Sequence, residues 1–372
     1  MSENMKLKDG LSEKAVQRIA AGMSAAYSEF DSDSFMKEAM EGLIHLELKE
    51  RVHHIIHSLH RHLPNDYKTT ANILVQVVKS WDHGDESDPL RGFAAWPLID
   101  YIGVYGLDDP ELSLQVLKTL TSLFSAEFAI RPFLVKYRDD SIRQISQWCN
   151  DEDHHVRRLV SEGTRPRLPW GIRLHDFVKD PSLIMPLLEE LRDDPSEYVR
   201  RSVANSLNDI SKDHPEIVID VCKRWQKNQT PERKRIIKHA TRTLVKMGHP
   251  AIFGLLGYTD SPKIMVREFH CDKSQIKIGE SLYFTTDLIS ASKKRQSVVL
   301  DYIIHHVKKN GKTSSKVFKW KNIEFQPNET VTVKKKHGFQ IITTRKYYSG
   351  LHRIELLING VSYGEITFEL FV

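Results

Sequence analysis

The stretches Val156-Arg157-Arg158-Leu159-Val160-Ser161-Glu162 and Val199-Arg200-Arg201-Ser202-Val203-Ala204-Asn205 repeat one pattern 43 residues apart. Each follows an acidic turn, Asn150-Asp151-Glu152-Asp153 in the first case and Asp193-Asp194-Pro195-Ser196 in the second. A period in the forties that joins an Asp/Pro turn to a helix-spaced apolar stripe is the mark of stacked helix pairs, none of which buries its apolar face alone. Stacking puts the recurring arginines on successive helices. They would line a long concave surface suited to a polyanion.

A chain of 372 residues is long for one core, and the pattern of this one changes near residue 260. Before that point apolar residues recur at helical spacing; after it Val, Ile, Tyr, Phe and Thr alternate with polar residues. The expected fold is an all-α, HEAT-like helical repeat solenoid over 1–260, followed by an all-β, immunoglobulin-like sandwich over 264–372. Helices are expected over 11–30, 34–62, 67–81, 92–105 and 110–125, with another opened by Ile130-Arg131-Pro132-Phe133. Later pairs are 182–192 with 196–211 and 215–227 with 232–247, then a short helix at 251–256. The spacing drifts between repeats, which points to a specialised array rather than a consensus one. Seven strands follow, 266–270, 281–289, 297–307, 313–319, 330–336, 350–358 and 362–371, and both Asn310-Gly311 and Asn359-Gly360 suit type I′ hairpins.

Composition narrows the function classes. Cys149, Cys222 and Cys271 have no CxxC spacing, which argues for a reducing compartment and against a disulfide framework or structural zinc. The N-terminus lacks an apolar leader and no run of about 18 apolar residues occurs, so the expectation is a cytoplasmic protein with no membrane partner. His53 and His57 have i, i+4 metal spacing but no third ligand nearby. No metal and no cofactor are expected. From Lys263 to the C-terminus there are 19 Lys/Arg against 10 Asp/Glu, a net +9 in a chain whose total is +5. The tail is the basic part.

Arg201, Asn205 and Asp209 fall at i, i+4 and i+8, away from Val199 and Val203, and Arg158 with Glu162 holds the matching stripe one repeat earlier. Such stripes are either ordinary solvated pairs or a site assembled by stacking. Ser125-Ala-Glu-Phe-Ala-Ile-Arg-Pro and Ser161-Glu-Gly-Thr-Arg-Pro-Arg-Leu-Pro-Trp each set a glutamate just before an Arg-Pro. Gly163 allows close approach of a backbone or ligand, and Trp170, between Pro169 and Gly171, is placed to present an open ring face. Basic residues divide in the same way between a solvated surface and phosphate contacts: Arg157, Arg158, Arg165, Arg167, Arg200, Arg201, Arg233, Lys234, Arg235, Lys238 and Arg242 in the helices. In the tail, Lys309, Lys312 and Lys335 sit on basic turns that serve either DNA contact or protection of sheet edges.

The three segments beginning at Ser125, Val156 and Val199 resemble the AlkC branch of the HEAT-like AlkC/AlkD superfamily of bacterial DNA glycosylases. The likeness runs in order from residue 11 to about 256, and the basic tail resembles the immunoglobulin-like domain that one branch of that family carries. The resemblance implies a monofunctional glycosylase that excises cationic alkylated bases, chiefly 3-methylcytosine and 3-methyladenine, from double-stranded DNA without flipping the nucleotide. It implies a monomer with Glu127, Glu162 and Asp209 as the active-site carboxylates and Trp170 as the aromatic. Two rival readings of the residues stand beside it: a non-catalytic HEAT scaffold for an acidic protein, and a damaged-DNA binding protein without chemistry.

Overall fold

A computed structural model describes residues 6–228, 230–342 and 345–372. Among these, sixteen α-helices from Glu13–Ala26 to Pro250–Leu255 precede eight strands. The chain forms two compact units, Met1–Asp213 with Thr230–Ala240, and His214–Gln229 with Thr241–Val372.

In the first unit the aspartates that punctuate the sequence are helix caps. Asp31, Asp66, Asp109 and Asp153 each accept a backbone N–H from the first turn that follows, a contact worth about 1 kcal/mol apiece. The single helix expected over 34–62 is two, Ser32–Met40 and Leu48–His62. Gly42, at φ +69°, supplies the left-handed turn that separates them. The helix expected over 232–247 is likewise broken at buried Thr241 into Pro231–Ala240 and Arg242–Lys246, and the two pieces belong to different units.

The repeated helices stack as their period predicts. His154–Gly163 packs against Glu197–Ile210, which packs against Pro231–Ala240. Val156, Leu159 and Val160 are buried on the first, and Val199, Val203 and Leu207 on the second. Small residues face each other where the helices approach: the Ser161 hydroxyl donates to Ser202 Oγ at 2.7 Å.

In the second unit the strands are β1 (Ile264–Cys271), β2 (Gln275–Lys277), β3 (Ser281–Ser290), β4 (Gln296–Val307), β5 (Thr313–Phe325), β6 (Thr330–Gly338), β7 (Gly350–Ile358) and β8 (Val361–Phe371). They form a three-stranded sheet, β1-β3-β6, and a five-stranded sheet, β2-β8-β7-β4-β5, antiparallel except where β2 runs parallel to β8. Leu282, Phe284, Leu288, Leu300, Tyr302, Ile304, Phe325, Ile354 and Phe368 fill the core. Strand β2 is absent from the sequence reading because three residues with one buried side chain carry no period. Asn359 and Gly360 have φ of +46° and +74°, as a type I′ hairpin requires. The Asn310-Gly311 expectation needs correction, since only Gly311 is left-handed. Here Gly311 N–H donates to Lys308 O at 2.9 Å and Lys308 N–H to Lys312 O at 2.8 Å, the pattern of a type I turn closed by glycine. A five-residue connection leaves room for that turn where a two-residue one does not.

The sandwich packs three imidazoles around Phe339: His306 and His352 are buried and His337 is half-buried. Burial, reinforced by the charge of Arg345, pushes His306 down to about 3 and His337 down to about 4. An unfolded chain takes up these protons near pH 6.5, whereas the folded one does so only far below. Between those limits the unfolded state binds more protons, so stability is full above about pH 6.5 and falls as the pH drops. At pH 5 the loss is about 2 kcal/mol for each of the two groups. Urea unfolding followed by circular dichroism should give a markedly lower midpoint at pH 5 than at pH 7.5, and His306→Gln should reduce that difference.

Candidate active site

Glu127 lies just ahead of the helix Arg131–Lys136, Glu162 is the penultimate residue of His154–Gly163, and Asp209 sits one residue from the end of Glu197–Ile210. Two arginines bring these carboxylates together. Arg158 donates through one terminal nitrogen to Glu127 Oε2 and Ser125 Oγ, both at 2.8 Å, and its other terminal nitrogen stands 3.6 Å from Glu162 Oε1. Arg165 donates to Glu162 Oε1 at 2.6 Å and to Asp209 Oδ2 at 2.8 Å. The Ser202 hydroxyl donates to Glu162 Oε2 at 2.7 Å, and Lys212 Nζ donates to Asp209 Oδ1 at 2.9 Å. Beneath Arg158, 4.5 Å from its guanidinium, lies the Tyr198 ring.

Glu162, Arg165 and Asp209 are 4, 6 and 1 % exposed, while Glu127 is half-buried. Both oxygens of Glu162 and of Asp209 accept from protein donors, whereas the hydrogen bonds of Glu127 all go to Oε2. Glu127 Oε1 is therefore the carboxylate oxygen best placed to meet a ligand. Burial works against the charge of Arg158, but Glu162 and Glu127 outweigh it and hold that guanidinium above its ordinary pKa. Arg165 is raised in the same way, with Glu162 and Asp209 overcoming burial.

Arg158 and Arg165, read from sequence as phosphate contacts, are instead paired with carboxylates, Arg165 buried and Arg158 half-buried, because they stand one helical turn from Glu162. Arg157 closes on Asp194 at 2.6 and 3.0 Å and on the carbonyls of Asp151 and Glu152, so its donors are committed to the turn that separates the repeats. Arg200 braces the same turn through the carbonyls of Asp194 and Pro195, and Arg167 makes a two-point pair with Asp213 at 2.8 and 2.7 Å. Arg233 pairs with Asp193. Arg201, Lys234, Arg235, Lys238, Lys309 and Lys312 are exposed. Lys335 is partly exposed and donates to the Lys319 carbonyl, and Arg242 is half-buried in the second unit.

Trp170 is 58 % exposed and adopts φ +64°, a left-handed backbone that bulky residues rarely take. With Arg167, Leu168, Pro169, Gly171, Arg173 and His175 it lines a cleft of about 490 Å³. Its loop is fixed from inside by Arg131, fully buried, which donates to the carbonyls of Gly163 at 2.8 Å and Ile172 at 2.5 Å. Burial lowers the Arg131 pKa to about 10, with Arg165 adding repulsion. What approaches Gly163 is the Ile130 side chain, 2.7 Å from where a Cβ would stand. Arg131, Ser125, Tyr198 and Ser202 were not assigned from sequence. The serine facing Glu162 was legible, since Ser202 opens the small-residue positions of the second repeat.

The helix that carries His53 and His57 also carries His60, and two of these rings meet tyrosines: His57 Nδ1 lies 2.8 Å from Tyr105 OH and His60 Nδ1 2.9 Å from Tyr101 OH. Among the described residues no group of three His, Cys, Asp or Glu is disposed to hold a metal ion, and no helix is long and apolar enough to cross a membrane.

Two family-model matches place this chain among proteins that join a DNA alkylation repair domain to a C-terminal Ig-like domain. The family model described as DNA alkylation repair enzyme matches residues 123–244, and the C-terminal Ig-like domain of YhaZ matches residues 265–372. The uncharacterized protein YhaZ of Bacillus subtilis (strain 168) is 36 % identical over 365 residues, spanning 98 % of this chain and 99 % of that protein. The solved structure of Pseudomonas fluorescens alkylpurine DNA glycosylase AlkC, bound to DNA containing an abasic site analog, superposes with a TM-score of 0.91 at 36 % identity, covering 99 % of this chain and 100 % of that one. The chain belongs to the AlkC/YhaZ family.

Proposed function

We propose that this protein is a monofunctional DNA glycosylase that hydrolyses the N-glycosidic bond of cationic alkylated bases, 3-methylcytosine and 3-methyladenine, in double-stranded DNA without flipping the nucleotide. The observation that carries this reading is Glu127 Oε1, which accepts no hydrogen bond among the described residues, on a chain that matches an alkylpurine glycosylase along its whole length. Methylation at N3 gives the base a formal positive charge, so it leaves neutral when the C1′–N bond breaks and needs no general acid. The sugar is left as an oxocarbenium-like cation. Ionised carboxylates stabilise it and orient a water whose oxygen bonds to C1′, while its proton passes to a carboxylate or to solvent. Base excision repair would take over at the abasic product.

Within that scheme Glu127 faces the reacting sugar, Glu162 and Asp209 hold Arg165 and extend the negative field, and Trp170 offers a ring face to the cation. Neutral bases leave too slowly for such a site, which gives selectivity for charged lesions. The direct test is release of free base from dimethyl-sulfate-treated duplex by the purified full-length protein. Absence of any release would favour a damage-binding or scaffolding role. The protein is expected to act as a monomer in the cytoplasm.

The basic tail is assigned a second role, contact with the DNA backbone. Lys309→Glu, Lys312→Glu and Lys335→Glu together should weaken binding to damaged and undamaged duplex alike. Each lost phosphate contact flattens the slope of log K against log salt by about 0.9. An unaltered slope would restrict these lysines to keeping sheet edges apart.

A further inference from the structure

Trp170 holds a backbone conformation that its own side chain disfavours, so its surroundings must impose it. Arg131 grips the loop at Gly163 and Ile172, on either side of the tryptophan. A third grip comes from Lys49, on the helix Leu48–His62, whose ammonium donates to the carbonyl of Trp170 itself. Its seat is rigid. The Lys49 ammonium lies 5.5 Å over the ring of Phe128, the residue next to Glu127. Phe128 stacks on Trp96 with ring centroids 5.2 Å apart and planes 26° from parallel, and the Trp96 indole N–H donates to half-buried Asp100 at 2.7 Å.

Resting on the glycosylase reading, we propose that Lys49 is a positioning residue for excision: by holding the Trp170 carbonyl it fixes which way the indole faces. A lysine at this place in an array that binds DNA would otherwise be read as a phosphate contact. Its commitment to a backbone carbonyl and to the Phe128 ring argues for the positioning role. Misplacing a group at a reacting centre by about 1 Å is enough to slow a reaction by one to two orders of magnitude.

Lys49 is exposed, so Lys49→Met, which keeps the stem and removes the donors, leaves the fold intact. In the full-length protein, Lys49→Met should slow single-turnover excision of 3-methyladenine by about ten-fold at unchanged DNA affinity. In a Trp170→Ala background the same substitution should change the rate less than about two-fold, because Lys49 acts through the ring that has been removed. Trp81, Trp96, Trp148, Trp225 and Trp320 are each at most 9 % exposed, so acrylamide quenching reports chiefly on Trp170 and should change in Lys49→Met.

Multiplicative rate effects with weaker binding and a flatter salt slope would make Lys49 a phosphate contact and overturn the proposal. So would an unchanged rate in Lys49→Met, unchanged quenching, or a slow Lys49→Met beside a fully active Trp170→Ala. A wild-type protein that releases no base would sink the glycosylase reading instead, and the quenching comparison would still decide whether Lys49 sets the indole.

Discussion

Glu127→Gln should slow single-turnover base excision by about a hundred- to a thousand-fold, the range seen when one electrostatic stabiliser is lost. The amide oxygen can still accept from Arg158 and Ser125, as Oε2 does now, so the local structure survives the exchange. What disappears is the negative charge shared with Oε1, the oxygen that accepts no hydrogen bond among the described residues. DNA affinity and melting temperature should therefore stay close to wild type. If the variant excises 3-methyladenine at the wild-type rate, Glu127 has no part in the chemistry and the half-buried carboxylate is only an anchor for Arg158.

Glu162→Gln should behave differently, losing activity and stability together. Both Glu162 oxygens accept hydrogen bonds, from Arg165 and from Ser202, and the residue is 4 % exposed. A glutamine must turn its amide donors toward Arg165 or Ser202, and Arg158, Arg165 and Arg131 lose a neutralising charge in a region closed to solvent. Removing one partner from a buried ionic network costs about 3–5 kcal/mol. In a unit of this size that lowers the melting temperature by roughly 10 °C. Differential scanning calorimetry on matched samples would settle it, and a melting temperature within about 2 °C of wild type would mean that the arginines find other counter-charges.

The contrast between these two glutamates marks the limit of what was legible in the sequence. Periodicity and the doubled Val-Arg-Arg located both repeats, and the switch to period two near residue 260 located the sandwich. Neither pattern distinguishes a charged residue that faces water from one that faces another repeat, because that depends on helix-to-helix rotation. Arg158 and Arg165 were consequently read as surface cations. Lys49 stands 121 residues from the Trp170 carbonyl that it holds, and no local pattern relates them. Gly42 was overlooked for a simpler reason: one glycine inside a long helical pattern is tolerated as often as it breaks the helix.

The contacts that join His154–Gly163 to Glu197–Ile210 also bear on how the array comes apart. In a solenoid held only by apolar faces, each repeat opens with its own free energy, and end repeats fray first. Here Ser161 is bonded to Ser202, Glu162 to Ser202, and Arg165 to both Glu162 and Asp209. Neither helix can open without stranding charges on the other. The pair consequently forms one cooperative unit, and its amides should exchange hydrogen together, at a single opening energy, rather than in the graded order of independent repeats.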